Sequence, residues 1–228
     1  MRVTLHVWRV PWRSVGGALL RMANEPRRLR AMRGVRFAKL VGTGNGTGFG
    51  PRDADLTRYA AVVAWDGVAD PTAVGRGWER ISVASACLEL TPLASRGRWS
   101  GAEPFETSRE RAGGPVLALT RARLRPRKAL TFWRAIPPVA AAVQRAPGLL
   151  ARFGVGEAPI GWQGTISVWR DEADLTRFAY RQPEHRAVIE RTPVDQWYAE
   201  DLFARFAVRE IRGDKSVLGW HADGEIGR

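Results

Sequence analysis

One order of strand and helix patterns appears twice along the 228-residue sequence, and it constrains the fold more than any other feature. In each half, period-two alternation predicts strands and amphipathic spacing predicts helices, in the order β-α-β-β-α-β. The stretch AVVAWDGVAD aligns with TISVWRDEAD, which matches Trp65 to Trp169. The same alignment matches Asp70 to Asp174, where a strand runs into a helix. The pattern predicts two ferredoxin-like units that bury their open sheet faces against one another.

The predicted elements divide the chain into four parts. These are a first repeat at 1–94, a connecting loop at 95–114, a second repeat at 115–212 and a mobile polar tail at 213–228. Strands are predicted at 3–10, 35–41, 59–65, 84–90, 116–122, 149–155, 164–169 and 202–211. Helices are predicted from Ser14 to an interruption at Pro26, at 70–78, from Lys128 to Pro137, at 171–181 and around His185. The fold class is therefore α+β, with the two repeats forming a dimeric α+β barrel. Such a chain either closes its own barrel or pairs with a neighbour as a homo-oligomer.

Composition excludes several classes of protein. Hydrophobic residues make up 45% of the chain, which suits a globular protein with a large core. The single cysteine, Cys87, excludes a disulfide framework and any multi-cysteine zinc or iron–sulfur site, so it is interpreted as a small core residue. No apolar run approaches the length of a membrane span, and a cytoplasmic location is expected.

The formal net charge of +13 is unevenly distributed. Residues 1–50 hold ten basic and one acidic side chain, and residues 101–150 hold nine and three. Such basic surfaces suit an acidic electron donor such as ferredoxin, or peripheral contact with an anionic membrane. Nucleic acid is a disfavoured partner, because no RNA-recognition, zinc-finger or helix-turn-helix signature accompanies the charge. The glycines of GTGNGTGFG (42–50) predict a loop, since a polar segment and a strand follow them instead of a helix.

His185 is the candidate metal-ligating residue. Pro183 suits a first helical position, and the following helix places His185 on the same face as Val188 and Ile189. Two interpretations compete: a packed histidine that hydrogen-bonds a carbonyl, or a neutral imidazole that ligates a metal or haem iron. The helix taken alone favours the packed histidine.

Seven stretches, spread over nearly the whole chain, together resemble the spheroidene monooxygenase family, the haem-containing carotenoid ketolases of phototrophic bacteria. They are FAKLVGTGNGTGF, SRGRWSGAEPF, PVLALTRARLRP, FWRAIP, FGVGEAPIGWQGTISVW, the histidine of PEHRAVI, and WYAEDLFARF. The resemblance implies a b-type haem in the barrel fold that chlorite dismutases, dye-decolourising peroxidases and aldoxime dehydratases also use. Those relatives hold the iron through a helix histidine of the second half, which makes His185 the expected ligand. Glu157, and after it Glu200, is expected to accept the other imidazole N–H.

The resemblance also suggests residues around the haem. A histidine-ligated iron needs polar donors to help activate O₂, and the matching segments offer three of them: Lys39, Gln163 and Arg205. Large aromatic residues in the same segments are expected either to line an elongated apolar pocket or to pack in the core: Trp99, Phe105, Trp133 and Trp162. Trp162 stands where the carotenoid enzymes are expected to have histidine, so the substrate pocket is expected to differ there.

The sequence thus predicts a haem-dependent monooxygenase that oxidises an apolar small molecule, most plausibly a carotenoid, with O₂ and external electrons. Two alternatives stay open. One is another haem reaction, such as aldoxime dehydration or nitrogen-centred chemistry on a secondary metabolite. The other is a cofactor-free α+β-barrel protein in which His185 only packs.

Overall fold

The structure is a computed structural model, and it describes residues 1–44, 53–128, 131, 143, 145–157, 162–181 and 197–220. Eight antiparallel strands close a barrel within this one chain. The strands are β1 (Arg2–Arg9), β2 (Val35–Gly44), β3 (Ala54–Trp65), β4 (Ala84–Gly97), β5 (Val116–Leu124), β6 (Leu149–Gly156), β7 (Trp162–Trp169) and β8 (Tyr198–Gly213). The described α-helices are α1 (Val15–Ala31), α2 (Pro71–Glu79) and α3 (Glu172–Arg181). The predicted α+β barrel is confirmed.

The strand order around the barrel is β1-β3-β2-β6-β7-β5-β8-β4, so each repeat contributes four neighbouring strands. The repeats join at two seams: a short one between β2 and β6, and a long one between β4 and β8. Apolar residues from both repeats, such as Leu5, Val62, Leu119 and Phe206, fill the barrel interior. Because successive residues of a strand face opposite sides, the alternate positions form the outer faces of the barrel.

The register of the sheet confirms the duplication. Trp65 pairs with Arg2 at the start of β1, and Trp169 pairs with Val116 at the start of β5. The aspartates are not equivalent, however. Asp70 accepts a hydrogen bond from Ala73 N (3.1 Å) and caps α2, whereas in the second repeat Asp171 accepts from the backbone N of residue 174 (2.8 Å). The alignment that pairs Asp70 with Asp174 therefore misses the capping residue.

Several predicted boundaries differ from the structure, and tertiary contacts explain three of them. Helix α1 continues through Pro26 to Ala31, since Leu29 packs in the core of the first repeat. That burial offsets the roughly 3 kcal/mol that an internal proline costs. Strand β4 extends to Gly97, past the predicted start of the loop, because residues 95–97 pair with 202–204 of β8. The segment predicted as a tail first forms a 3₁₀ turn at Lys215–Leu218, whose Val217 and Leu218 are fully buried. Among the described helices, none has the length and apolar character to cross a membrane.

Candidate functional site

Polar side chains meet inside the barrel at the end where β5 and β6 finish and β8 begins. We call this group the barrel-end cluster: Lys39, Arg121, Glu157 and Glu200. The carboxylate of Glu157 accepts hydrogen bonds from Lys39 Nζ (2.7 Å) and from Arg121 Nη2 (2.9 Å) and Nε (3.1 Å). Arg121 also donates to Glu200, which in turn accepts from the backbone N of Ser100 (2.9 Å) and of Gly101 (2.7 Å). The cluster spans both seams of the barrel.

Burial makes this cluster electrostatically tight. The side chain of Arg121 is only 2% exposed, so its charge needs carboxylate partners in place of water. Desolvation acts to raise the pKa of Glu200, but the N–H groups of Gly101 and Ser100 and the Arg121 guanidinium outweigh it, and the pKa is lowered overall. Glu200 is thus held as a carboxylate. Cations and N–H donors inside the barrel engage both Glu157 and Glu200. Because His185 lies outside the described residues, their role in orienting it stays a prediction.

Two predicted pocket residues lie in the barrel core. Trp99 is fully buried, donates through Nε1 to Glu157 (2.7 Å), and has its ring centroid 5.5 Å from that of Phe37. Phe105 packs edge-on against Phe206 with the ring centroids 5.0 Å apart. The stretch predicted as a connecting loop therefore returns two aromatic residues to the interior. These aromatic residues were expected either to line an apolar pocket or to pack in the core, and Trp99 and Phe105 pack in the core.

The outer face of the first repeat is closed by large side chains. We call it the first-half face: Thr4, His6 and Trp8 of β1, Ala38 and Leu40 of β2, and Tyr59, Ala61 and Val63 of β3. The rings of Trp8 and Trp78 stack with centroids 5.0 Å apart, and Trp78 of α2 also lies 5.1 Å from Tyr59. Trp78 Nε1 donates to the buried Glu25 of α1 (2.7 Å). Helices α1 and α2 thus seal this face.

The equivalent face of the second repeat carries smaller residues at the positions that correspond to Trp8, Leu40 and Tyr59. Equal register gives the second-half face: Ala118, Thr120 and Ala122 of β5, Arg152 and Gly154 of β6, and Gln163, Thr165 and Ser167 of β7. Ala122 stands where the first repeat has Trp8, and Gly154 stands where it has Leu40. At the centre of the sheet, Thr120 and Thr165 are partly exposed, whereas their counterparts His6 and Ala61 are buried. Within the described residues, these substitutions leave the centre of the second-half face without the aromatic layer that covers the first-half face.

The predicted polar donors separate between the two sides of the barrel wall. Lys39 faces the interior, whereas Gln163 lies on the second-half face and is almost fully buried there. Arg205 also points outward, where it pairs with Glu172 of α3 at 3.0 Å across a half-exposed surface. Lys39 therefore does not share a site with Gln163 and Arg205. Arg152 was not anticipated. It places a guanidinium on the second-half face, and desolvation by burial lowers its pKa to about 10.

The remaining candidates fall outside the described part of the chain. His185 and Trp133 lie outside the described residues, and Trp162 is described only as the first backbone position of β7. Within the described residues, no group of three or more histidine, cysteine, aspartate or glutamate side chains is placed to hold a metal ion. Sequence reasoning also missed Arg121. Its signal was a charged residue at an inward position of β5, in line with Leu117 and Leu119, which requires a buried counter-charge.

The fold and the two unlike outer faces define a single-chain α+β barrel built from two ferredoxin-like repeats, the second of which carries smaller residues at the centre of its outer face. Solved structures share this architecture. An aldoxime dehydratase in complex with butyraldoxime superposes with a TM-score of 0.57 at 11% sequence identity, over 91% of this chain and 79% of that one. A second aldoxime dehydratase gives a TM-score of 0.51 at 12% identity, over 91% and 80%. At such identities the likeness shows the fold alone.

Sequence comparison is more specific. The chain is 35% identical over 188 residues to the spheroidene monooxygenase of Rhodobacter capsulatus, covering 78% of each protein. It is 33% identical over 185 residues to that of Rubrivivax gelatinosus, covering 79% of this chain and 71% of the relative. The chain belongs to the spheroidene monooxygenase family, and is thus a member of a family of monooxygenases. No family model matches it.

Proposed function

We propose that this protein is a haem-dependent monooxygenase that oxidises a carotenoid with O₂ and electrons from an external donor. Family membership supports the reaction class, because the relatives are named for oxidation of spheroidene, a carotenoid. The observation that carries the cofactor proposal is the second-half face, where small residues replace the aromatic filling of the first repeat. A flat apolar macrocycle needs such a face, and the first repeat offers none.

The residues of the second-half face fit a b-type haem. Ala122, Gly154 and Thr165 present small side chains or none over the centre of the sheet, which allows a planar ring to approach. Arg152 supplies a cation on the same face for a haem propionate, since guanidinium and carboxylate groups match geometrically. His185 remains the proposed iron ligand, on the strength of the family resemblance. Haem bound there would supply the activation of O₂ that a protein side chain cannot provide.

The chain's own polar groups would then orient the reactants. Gln163 lies on the second-half face, and its amide can both donate and accept a hydrogen bond. Gln163 is the proposed distal donor. Lys39 is not proposed for that role, because its ammonium group donates to Glu157 inside the barrel. The substrate would be held by shape and apolar contact, as expected for a polyene without charged groups. Two successive hydroxylations of one carbon, each consuming one O₂ and two electrons, would give a gem-diol that loses water to form a ketone.

An absorption spectrum tests the cofactor proposal. The purified protein, titrated with haemin, is expected to develop a Soret band that His185→Ala abolishes. His221→Ala is the matched control, because it removes a histidine from the predicted tail, and it should leave the band unchanged. Absence of a band in the unaltered protein would overturn the haem proposal. A band that persists in His185→Ala would instead overturn the ligand assignment.

The reaction class needs a separate measurement. The haem-loaded protein is incubated with spheroidene, reduced ferredoxin and ¹⁸O₂, and the product is analysed by mass spectrometry. Incorporation of label that depends on ferredoxin supports a monooxygenase. Conversion of an aldoxime without O₂ or reductant, with no labelled carotenoid product, would assign the protein to the other haem chemistry.

A further inference from the structure

We propose that the protein docks on an anionic lipid bilayer through an apolar patch at the start of α1. The patch consists of Trp12, Leu19, Leu20, Leu56 and Val83. Exposed large hydrophobic residues number six in the part of the chain that the structure describes, and these are five of them. Trp12 is 73% exposed and Leu20 is 68% exposed. Large apolar side chains that are grouped on a surface and this exposed indicate an interaction site.

Backbone contacts bring the five residues to one end of the first repeat. The strand β1 ends at Arg9, whose carbonyl accepts a hydrogen bond from Val83 N (2.8 Å). Val10 N donates to the carbonyl of Thr57, the residue that follows Leu56 (2.8 Å). Trp12 begins the 3₁₀ turn that leads directly into α1, and Leu19 and Leu20 lie in the early turns of that helix. The patch is therefore formed by three neighbouring segments of the chain.

The solvent face of α1 continues from the patch into a basic surface. Leu20 and Arg27 are seven residues apart and lie on the same side of the helix, and Arg30 follows one turn later. Arg13 extends the basic surface next to Trp12. Four exposed arginines of this region form no ion pair within the described residues: Arg13, Arg27, Arg30 and Arg33. The one acidic residue of α1, Glu25, is buried and engaged by Arg21 and Trp78.

This arrangement favours a bilayer over a protein partner. Tryptophan and leucine insert at the lipid interface while arginines contact phosphate groups, as in interfacial amphipathic helices. A second copy of the chain would bring one basic surface against another, which like-charge repulsion opposes. An acidic protein would pair with the arginines but would leave the exposed Trp12 and Leu20 without a role. The choice of a bilayer also draws on the proposed function, because an apolar carotenoid dissolves there.

Vesicle sedimentation tests the proposal without haem or substrate. The full chain is expected to bind vesicles of phosphatidylcholine mixed with phosphatidylglycerol, and to bind pure phosphatidylcholine far more weakly. Leu19→Ser combined with Leu20→Ser should weaken binding at least about tenfold, because two leucines no longer insert. Arg27→Gln combined with Arg30→Gln should weaken it by roughly fivefold per arginine, and added salt should do the same.

Val68→Ser is the matched control, because Val68 is 90% exposed but lies outside the patch, between β3 and α2. It should bind like the unaltered protein. No binding to anionic vesicles, or equal binding by the leucine variant, overturns the proposal. Light scattering tests whether a second copy of the chain covers the patch instead. A dimer that dissociates in the leucine variant, together with no vesicle binding, would make the patch a self-association surface. The Soret measurement is independent, so failure here leaves the haem proposal standing.

Discussion

The two repeats share one backbone plan but treat their outer faces differently. In the first, Trp8, Trp78 and Tyr59 form a stacked aromatic layer between sheet and helices. In the second, Ala122 and Gln163 take the positions of Trp8 and Tyr59, and the centre of the sheet is partly exposed. The first repeat thus has a sealed outer face, and the smaller residues of the second locate the proposed haem site there. Duplication thus supplies an internal reference for locating a site.

The largest effect is expected from emptying the first-half face. Trp78→Ala removes a ring that stacks on Trp8 and donates to Glu25, so the free energy of unfolding should fall by about 3–5 kcal/mol. Trp12→Ala is the matched control. It removes the same side chain from an exposed position and should change stability by less than about 0.5 kcal/mol. Denaturant unfolding measures both, and similar losses in the two variants would contradict the sealed face.

A somewhat smaller effect is expected at the barrel-end cluster, which ties the two repeats together. Arg121→Met leaves the partly buried carboxylates of Glu157 and Glu200 without their shared cation and should cost about 3 kcal/mol. Arg205→Met, which breaks the exposed pair with Glu172, should cost less than about 1 kcal/mol. Urea titration measures the unfolding free energy of both variants and so compares an ion pair inside the barrel with one on its surface. Equal costs would show that the cluster is no more desolvated than the surface.

The pH dependence of stability should also separate the two faces. Burial lowers the pKa of His6 to about 3 from the ordinary value of 6.5, so the folded protein keeps this imidazole neutral. Below pH 6.5 the unfolded chain binds a proton that the folded chain does not, and stability falls as the pH drops toward about 3. The slope should approach roughly 1.4 kcal/mol per pH unit. Thr120, the counterpart of His6, has no such titration.

His6→Gln should remove this contribution, so the difference in unfolding free energy between variant and unaltered protein should shrink as the pH falls from 7 toward about 4. Denaturant titrations at several pH values measure it. The other two histidines and all carboxylates are common to both proteins and cancel in the comparison. Parallel stability curves for the two proteins would mean that His6 is not held neutral.

Much of the fold could be predicted because its signals are local. Strand alternation, the helix cap at Asp70 and the repeated Trp65 and Trp169 all have direct counterparts in the structure. Boundaries failed where tertiary burial outweighed local preference. Pro26 lies inside a helix because residues around it are buried. Trp99 belongs to a segment that is mostly polar, yet its side chain is buried in the barrel core.

The candidate site was less predictable, since alternation shows which residues share a face but not what lies against it. Gln163 and Lys39 have the right chemistry for one site, yet they point to opposite sides of the barrel wall. The hydrogen bonds from Arg121 to Glu157, a residue 36 positions away in the sequence, had no local signal. Arg152 gave no signal, because one arginine in a basic chain carries little information. Only the closed barrel shows these neighbours.

The central proposal is that the second-half face holds haem, and substituting larger residues on that face tests it most directly. Ala122→Trp and Gly154→Leu each install the residue of the first repeat, and haemin titration followed by the Soret band should show affinity at least about tenfold lower. Ala23→Trp, on the exposed side of α1, should bind like the unaltered protein, and circular dichroism confirms that all three variants are folded. Undiminished haem binding by both folded face variants would contradict the claim.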